Sequence, residues 1–477
     1  MKQQTIIIIL LLLITAIAKG QEPLRLSLSE AQDYAIEHNK TLQNAKLDLK
    51  VSDLKIKETI AQGLPQVDAG LDFSTYFGYK LDFPLGGGGG DQTTYTPEQY
   101  EQAWNTALGV YPSFTQEDLM KYMAGATYSG KLQSFTPMVI NMRDQLNAKV
   151  QIGQLLFNGQ YWVGIQTAKL GKKIAEQGID NSILDVKQNL ANSYFMVLVT
   201  QKSLEIFEQN IVDLRKIENH TRKMVETGIA EQTSLDQITV QVTMLENTKK
   251  TMERAVRMGY NLLKFQLGVN PKTEIVLTDS FDKLLSENAA SQALTESFNI
   301  ENNILYQMTE TSQKITEKMV KMEQMAYAPT LTGFYAYNQK FFKTDFDMTP
   351  KHIAGVSMSI PVFSSGSRKY KVSQAKIKLE QAQVNKSMVE DQLTMQEQQL
   401  KLDLNSALEN YDLQKENVNV AKRVFESVNR KFEQGMVSSL ELTQTNSSYL
   451  QAETNFVQAS FALIQARLAL DKLYNKL

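Results

Sequence analysis

The chain contains no cysteine. That excludes disulfides, thiolate catalysis, cysteine-ligated zinc and an acylated N-terminal cysteine. Histidine is almost as scarce: His38, His220 and His352 lie far apart and form neither an HExxH nor an HxH spacing, so each reads as a surface residue rather than a ligand. Only 10 prolines and two tryptophans interrupt 477 residues, leaving long tracts of Gln, Lys, Glu, Asn and Ala. A formal net charge of −2 argues against a nucleic-acid partner or a polybasic membrane-surface protein. Beyond the N-terminus no stretch is apolar enough to cross a bilayer as a helix, so any crossing has to be made by strands.

What is present begins at the N-terminus. Lys2 precedes "TIIIILLLLITAIA", followed by the small residues Ala16, Ala18 and Gly20. A basic start, a short apolar run and small residues predict a secretory signal peptide over residues 1–20, cleaved near Gly20–Gln21. The apolar run is shorter than the roughly 20 residues of a spanning helix.

The rest of the chain repeats itself. Gly159 and Gly366 lie 207 positions apart, as do Ala168 and Ala375, Lys169 and Lys376, and Gly228 and Gly435. That register holds over 69 residues. Earlier, "GLPQVDAGLDFS" (63–74) resembles "YAPTLTGFYAYN" (327–338), with Pro65 and Pro329 in matching places. The chain is therefore two copies of helix, strand, strand, long helix, turn, helix. Its expected division is a first repeat over 21–270, a linker over 271–290 and a second repeat over 291–477. The first copy holds about 57 extra residues between its strands, an insert over about 80–145 with "GGGGG" at 86–90. No Gly-Lys-Ser/Thr follows that run, so it reads as loop rather than phosphate cradle.

Period-two alternation marks the strands. Val67, Ala69, Leu71 and Phe73 alternate with Asp68, Gly70, Asp72 and Ser74 in 66–77; Val356, Met358 and Ile360 alternate with Gly355, Ser357 and Ser359 in 355–363. Residues 146–153 and 330–341 alternate less cleanly. The pattern suits a half-buried sheet, and equally a barrel strand with lipid on one side and water on the other. Two proline-free rods, Gly159 to Gly228 and Gly366 to Gly435, each predict a helix of roughly 100 Å. Their thin stripe, which includes Leu393, Leu400, Leu404, Tyr411, Phe425 and Phe432, steps by threes, fours and sevens, as in coiled-coil packing. Gly228 and Gly435 end the rods, and a second helix returns from each.

The fold class that follows is mainly α with membrane β: long antiparallel coiled-coil hairpins plus four strands per protomer. Four strands cannot close a barrel, and open edges are not tolerated in hydrocarbon. Three chains pooling their strands would make a trimeric 12-stranded barrel, continued by helices into a conduit.

The order of these features resembles the TolC-like outer-membrane efflux protein family. The likeness rests on the signal peptide, the two-fold repeat, "LSLSEA" (26–31), "QLLFNGQ" and "IPVFSSG" before the rods, and the turns "TGIAEQTSL" and "QGMVSSLEL". It covers nearly all of the mature chain except the insert. The resemblance implies a homotrimer in the cell outer membrane, extending into the periplasm, without cofactors. It implies an export duct serving a tripartite efflux or type I secretion system, with a periplasmic adaptor and an inner-membrane pump as partners. It places Gly228 and Gly435 in adaptor-facing tips. Family members narrow the tunnel with acidic residues six and nine positions after the second turn glycine, which here are Glu441 and Gln444. Glu441 fits that role and Gln444 departs from it. The insert is then an extracellular loop.

Two other readings are weighed. A soluble periplasmic adaptor, or coiled-coil scaffold, also uses helical hairpins, but usually one, between β-rich domains. An enzyme is disfavoured because the 52 acidic residues sit on helical faces among Lys and Arg, with no nucleophile elbow or paired-acid arrangement.

Overall fold

The computed structural model describes residues 23–77, 79–83, 138–141, 144–281, 287–342 and 350–477, with single positions between 98 and 117. The expected signal peptide and most of the insert, its glycine run included, lie outside the described residues. In chain order the elements are β1 (Leu24–Leu26), α1 (Leu28–His38), α2 (Lys40–Ala61), β2 (Gln66–Ser74), β3 (Lys80–Phe83), β4 (Met138–Asn141) and β5 (Gln145–Phe157). There follow α3 (Gly159–Glu226), α4 (Gln232–Leu267), β6 (Ile275–Leu277), α5 (Glu287–Thr295) and α6 (Ile304–Met325). The chain ends with β7 (Thr330–Lys340), β8 (His352–Ser359), α7 (Ser367–Glu433) and α8 (Ser439–Leu473). Two compact units result: a helical one from the chain up to Ala61, Gly159–Ala328 and Ile360–Leu477, and a sheet unit from Gln62–Asn158 and Pro329–Ser359.

In the helical unit, "LSLSEA" proves to be a cap. Ser27 and Glu30 form a reciprocal capping box at the start of α1, supplying partners for backbone N–H groups that a helix start leaves open. Leu26 sits in β1, which pairs in parallel with β6. Both strands are held to α3 through Tyr194, which is fully buried. Its hydroxyl lies 3.1 Å from the Leu26 carbonyl and from the Asp279 carboxylate, and Asp279 also accepts from the Leu28 N–H at 2.8 Å. Burial keeps this phenol protonated far above its ordinary range. Around it Ala31, Ala35, Leu42, Leu190, Leu263 and Leu267 complete a core.

The rods are long: α3 has 68 residues and α7 has 67. The first packs against α2, α4, α6 and α8, and the second against α6 and α8. Of the expected α7 stripe, Leu393, Leu404, Tyr411, Val428 and Phe432 are buried. Far more apolar surface stays bare on the same helix. Tyr370, Ile377 and Val384 are 64%, 57% and 55% exposed, and Met395, Leu402, Leu413, Val420 and Val424 continue that line in steps of four, seven and eleven. This is a second coiled-coil seam with no partner among the described residues. Leu47, Val51 and Leu54 make a shorter one on α2.

The sheet unit holds four antiparallel strands in the order β2-β5-β7-β8. The two ends of the expected insert, β3 and β4, pair with each other from Lys80↔Asn141 to Phe83↔Met138. Strand β2 stops at Ser74, three residues short of the expected end, because the chain turns at Phe77 with φ 50. Strand β8 begins three residues before its expected start and ends ahead of Pro361, which has no N–H to offer a ladder.

Candidate functional site

Register assigns every strand residue to a face. Val67, Ala69, Leu71 and Phe73 of β2 pair with Ile152, Val150, Ala148 and Leu146 of β5. On the same side, Ile152 and Val150 meet Tyr335 and Tyr337 of β7, which in turn meet Ala354 and His352 of β8, with Val356 and Met358 beyond. This face is largely apolar, with Gln154, Gln339 and His352 as its polar members, and much of it is exposed. Val67, Leu71, Phe73, Val356 and Met358 are all more than half exposed. A contiguous apolar face of that size is foreign to a water-exposed surface and demands an apolar environment.

The opposite face carries Asp68, Asp72, Lys149, Gln151, Asn338, Thr332 and Ser357. Phe334 is its largest apolar residue. Its ring reaches across to the neighbouring strand over Gly355, where a Cβ would stand 2.9 Å from the ring. At one end of the apolar face three aromatic rings cluster. The Tyr335 hydroxyl and His352 Nδ1 are 2.8 Å apart, and the Tyr337 and His352 rings are 5.0 Å apart. Amphipathic rings at the rim of an apolar band are the usual furnishing of a membrane–water boundary.

The helical unit holds the remaining residues expected from the sequence. Gly228 and Gly435 both have left-handed backbone, φ 74 and φ 72. Each closes a Schellman turn: Ile229 N donates to Met224 O at 2.8 Å and Met436 N to Lys431 O at 2.9 Å. Nothing approaches within 4 Å of a Cβ placed at either glycine, so backbone conformation alone selects the residue. Beside them Ile229, Met436 and Leu440 are 72%, 65% and 58% exposed. Glu441 lies in the first turn of α8, its N–H donating to the Ser438 cap at 3.2 Å, and Gln444 follows one turn later. Both are exposed and share one flank of α8. Glu441 and Gly435 thus belong to one turn, and Gly228 to the other hairpin. The three histidines stay apart: His38 stacks on Tyr34, His220 sits edge-on to Phe432, and His352 is in the sheet.

Two features had no place in the expectations. Asn210 of α3 and Asn446 of α8 are buried against each other and exchange two amide hydrogen bonds, at 3.0 and 3.1 Å. Next to them the Tyr449 hydroxyl donates to Glu453 Oε1 at 2.7 Å, and Tyr449 stacks on Phe425. Burial pushes the Glu453 carboxyl above its ordinary range, opposed by Tyr449, Lys422 and Lys202. An asparagine facing another helix in a coiled-coil register is the signal that could have found the pair.

Residues 300–476 match the family model for outer membrane efflux proteins. The outer membrane protein TolC of Vibrio cholerae is 21% identical over 239 residues, which is 49% of this chain and 54% of that protein. The Campylobacter jejuni CmeC outer membrane channel superposes with a TM-score of 0.65 over 94% of this chain and 85% of its own, at 13% identity. The chain resembles TolC in sequence over about half of its length and CmeC in fold over most of it. The Vibrio cholerae outer membrane protein VceC gives a TM-score of 0.64 over 94% of this chain and 96% of its own, at 14% identity. At such identities the structural likeness is one of fold. The chain spans about half the length of the curated relative that it matches. Among the described residues no helix is long and apolar enough to cross a membrane.

Proposed function

We propose that this protein is the outer-membrane channel of a tripartite efflux or type I secretion system, a passive duct from periplasm to exterior. The observation that carries the reading is the four-stranded sheet, largely apolar and exposed on one face, largely polar on the other, with β2 and β8 as outer strands. The apolar face calls for lipid. In lipid the outer edges of β2 and β8 need partners, because no water is there to satisfy their backbone groups. A second copy supplies them head-to-tail, β8 of one beside β2 of the next. Three copies make twelve strands with the polar face lining the bore. A soluble adaptor has no use for a bare apolar sheet face.

In this reading the helical repeats, 21–270 and 291–477 joined by 271–290, extend the duct into the periplasm, and the 80–145 insert projects outside the cell. Gly228 and Gly435, with the exposed Ile229, Met436 and Leu440, form tips that meet the adaptor; an inner-membrane pump supplies the energy. Glu441 and Gln444 face the narrowing, where three Glu441 carboxylates favour cations. The duct catalyses nothing. Fractionation of broken cells followed by native electrophoresis tests the proposal. The protein is expected in the outer-membrane fraction at three times its chain mass. Recovery as a soluble monomer overturns it.

A further inference from the structure

The two copies of the repeat share a charge pattern. Acids and bases nearly balance over the whole chain, 52 against 50, yet residues 145–175 and 351–379 hold no Asp or Glu at all. Each stretch runs through a sheet strand, β5 or β8, into the first turns of a rod, and each carries lysines. In the first, Trp162 and Lys169 are exposed seven residues apart, and so share one flank of α3. Their equivalents at the 207-residue offset are Lys369 and Lys376, both exposed on one flank of α7. The other flank is not repeated: Lys371 and Lys378 stand where the first copy has Gly164 and Gly171. Lys169, Lys369 and Lys376 make no ion pair or side-chain hydrogen bond among the described residues, whereas Lys172 is held by Asp53 at 3.1 Å. Between Trp162 and Lys169, Gln166 accepts from Lys318 of α6 at 2.8 Å, which brings another ammonium to that flank.

Unpaired lysines beside an exposed tryptophan call for a partner that is anionic and partly apolar. Along the chain they follow closely on the strands. Trp162 is five residues past the end of β5, at most about 18 Å of chain, and Lys169 comes two helical turns later, about 10 Å on. Side chains on a helix tilt back toward its N-terminus, here toward the incoming strand. Val362 and Phe363, 92% and 84% exposed, precede the second set. Tryptophan favours the membrane–water boundary, and lysine stems lie along apolar surface while the ammonium meets headgroup phosphate. We infer that Trp162, Lys169, Lys369 and Lys376 dock the headgroups of anionic phospholipids in the leaflet facing the periplasm. The inference rests on the channel reading and adds to it the class of lipid that the duct selects where it leaves the membrane.

The test uses full-length trimers in phosphatidylcholine vesicles doped with spin-labelled phosphatidylglycerol or phosphatidylcholine, whose immobilised fraction reports relative affinity. The parent is expected to prefer phosphatidylglycerol several-fold, and less so as salt rises. Lys369→Gln/Lys376→Gln should lower that preference at least about twofold. Lys371→Gln/Lys378→Gln, the same charge change on the other flank, should leave it near the parent's. A second readout keeps every lysine. In a Trp104→Phe chain Trp162 is the sole tryptophan, and headgroup-labelled phosphatidylglycerol should quench it more than phosphatidylcholine bearing the same label. No preference in the parent, equal losses in the two double variants, or equal quenching by the two lipids would each overturn the inference. So would loss of Lys369→Gln/Lys376→Gln trimers in phosphatidylcholine alone, which would assign these lysines to a protein contact. If the parent itself does not enter vesicles as a trimer, the channel reading fails, and the inference with it.

Discussion

Val356 and Ser357 are neighbours in β8 that point to opposite sides of the sheet, and they allow the lipid-facing assignment to be tested within one residue. Val356 sits mid-strand on the apolar face, 66% exposed, across from Gly333; Ser357 lies across from Thr332 on the polar face. An arginine held on the lipid side of a barrel costs about 2–4 kcal/mol at the bilayer midplane. Val356→Arg should therefore lower the folding equilibrium in membrane about 30- to 1,000-fold per chain. A trimer would lose about 6–12 kcal/mol. Ser357→Arg places the same charge in water and should change stability by less than about 1 kcal/mol. Urea titration of each variant refolded in lipid vesicles gives the comparison, with helix content followed in detergent to confirm that both chains fold. Equal losses for the two substitutions, or a Val356→Arg chain that inserts like the parent, would refute the two-faced sheet as a membrane element.

Other outcomes follow from the helical unit. Asn446→Ala leaves the Asn210 amide buried without its partner and should cost about 1–3 kcal/mol. The double Asn210→Leu/Asn446→Leu chain should recover most of that, so a double-mutant cycle on urea midpoints that proves additive would deny the pair. Because burial raises the Glu453 carboxyl in the folded state, the folded chain holds that proton more tightly than the unfolded one. Stability therefore falls as pH climbs from the ordinary carboxylate range through the raised folded value. Glu453→Gln, which can still meet the Tyr449 hydroxyl, should flatten that fall; a melting profile as steep as the parent's would assign it elsewhere. Glu441→Lys should weaken cation preference in single-channel recordings, and unchanged selectivity would remove Glu441 from the narrowing.

Much of this architecture was legible because the repeat is arithmetical. Gly228 and Gly435 keep their 207-residue spacing as paired Schellman turns, and the threes and fours of Leu393, Leu404, Tyr411 and Phe432 mark a buried stripe. Alternation in Val67–Phe73 and Val356–Met358 likewise survives as one face of one sheet. What escaped depends on contacts between distant segments. Tyr194 and Asp279 meet across 85 positions, and Asn210 and Asn446 across 236; the first pair has no local pattern to announce it, and the second shows only as asparagines in a coiled-coil register, which does not name the partner. The ends of β2 and β8 fall three and four residues short of the alternating stretches because a turn at Phe77 and a missing donor at Pro361 override periodicity. The second, bare seam on α7 was readable in principle, since Tyr370, Ile377 and Val384 are spaced by sevens. It was obscured by a helix so largely polar that one stripe accounted for its packing.

Gly355 has a hydrodynamic consequence. Because it lacks a Cβ, the Phe334 ring reclines along the sheet instead of standing off it. In a closed barrel three such rings would lie flat against the wall, leaving the cross-section to water and cargo. One methyl group at 355 would tip each ring upright, and a wide pipe would acquire a greasy throttle without a single change to its backbone.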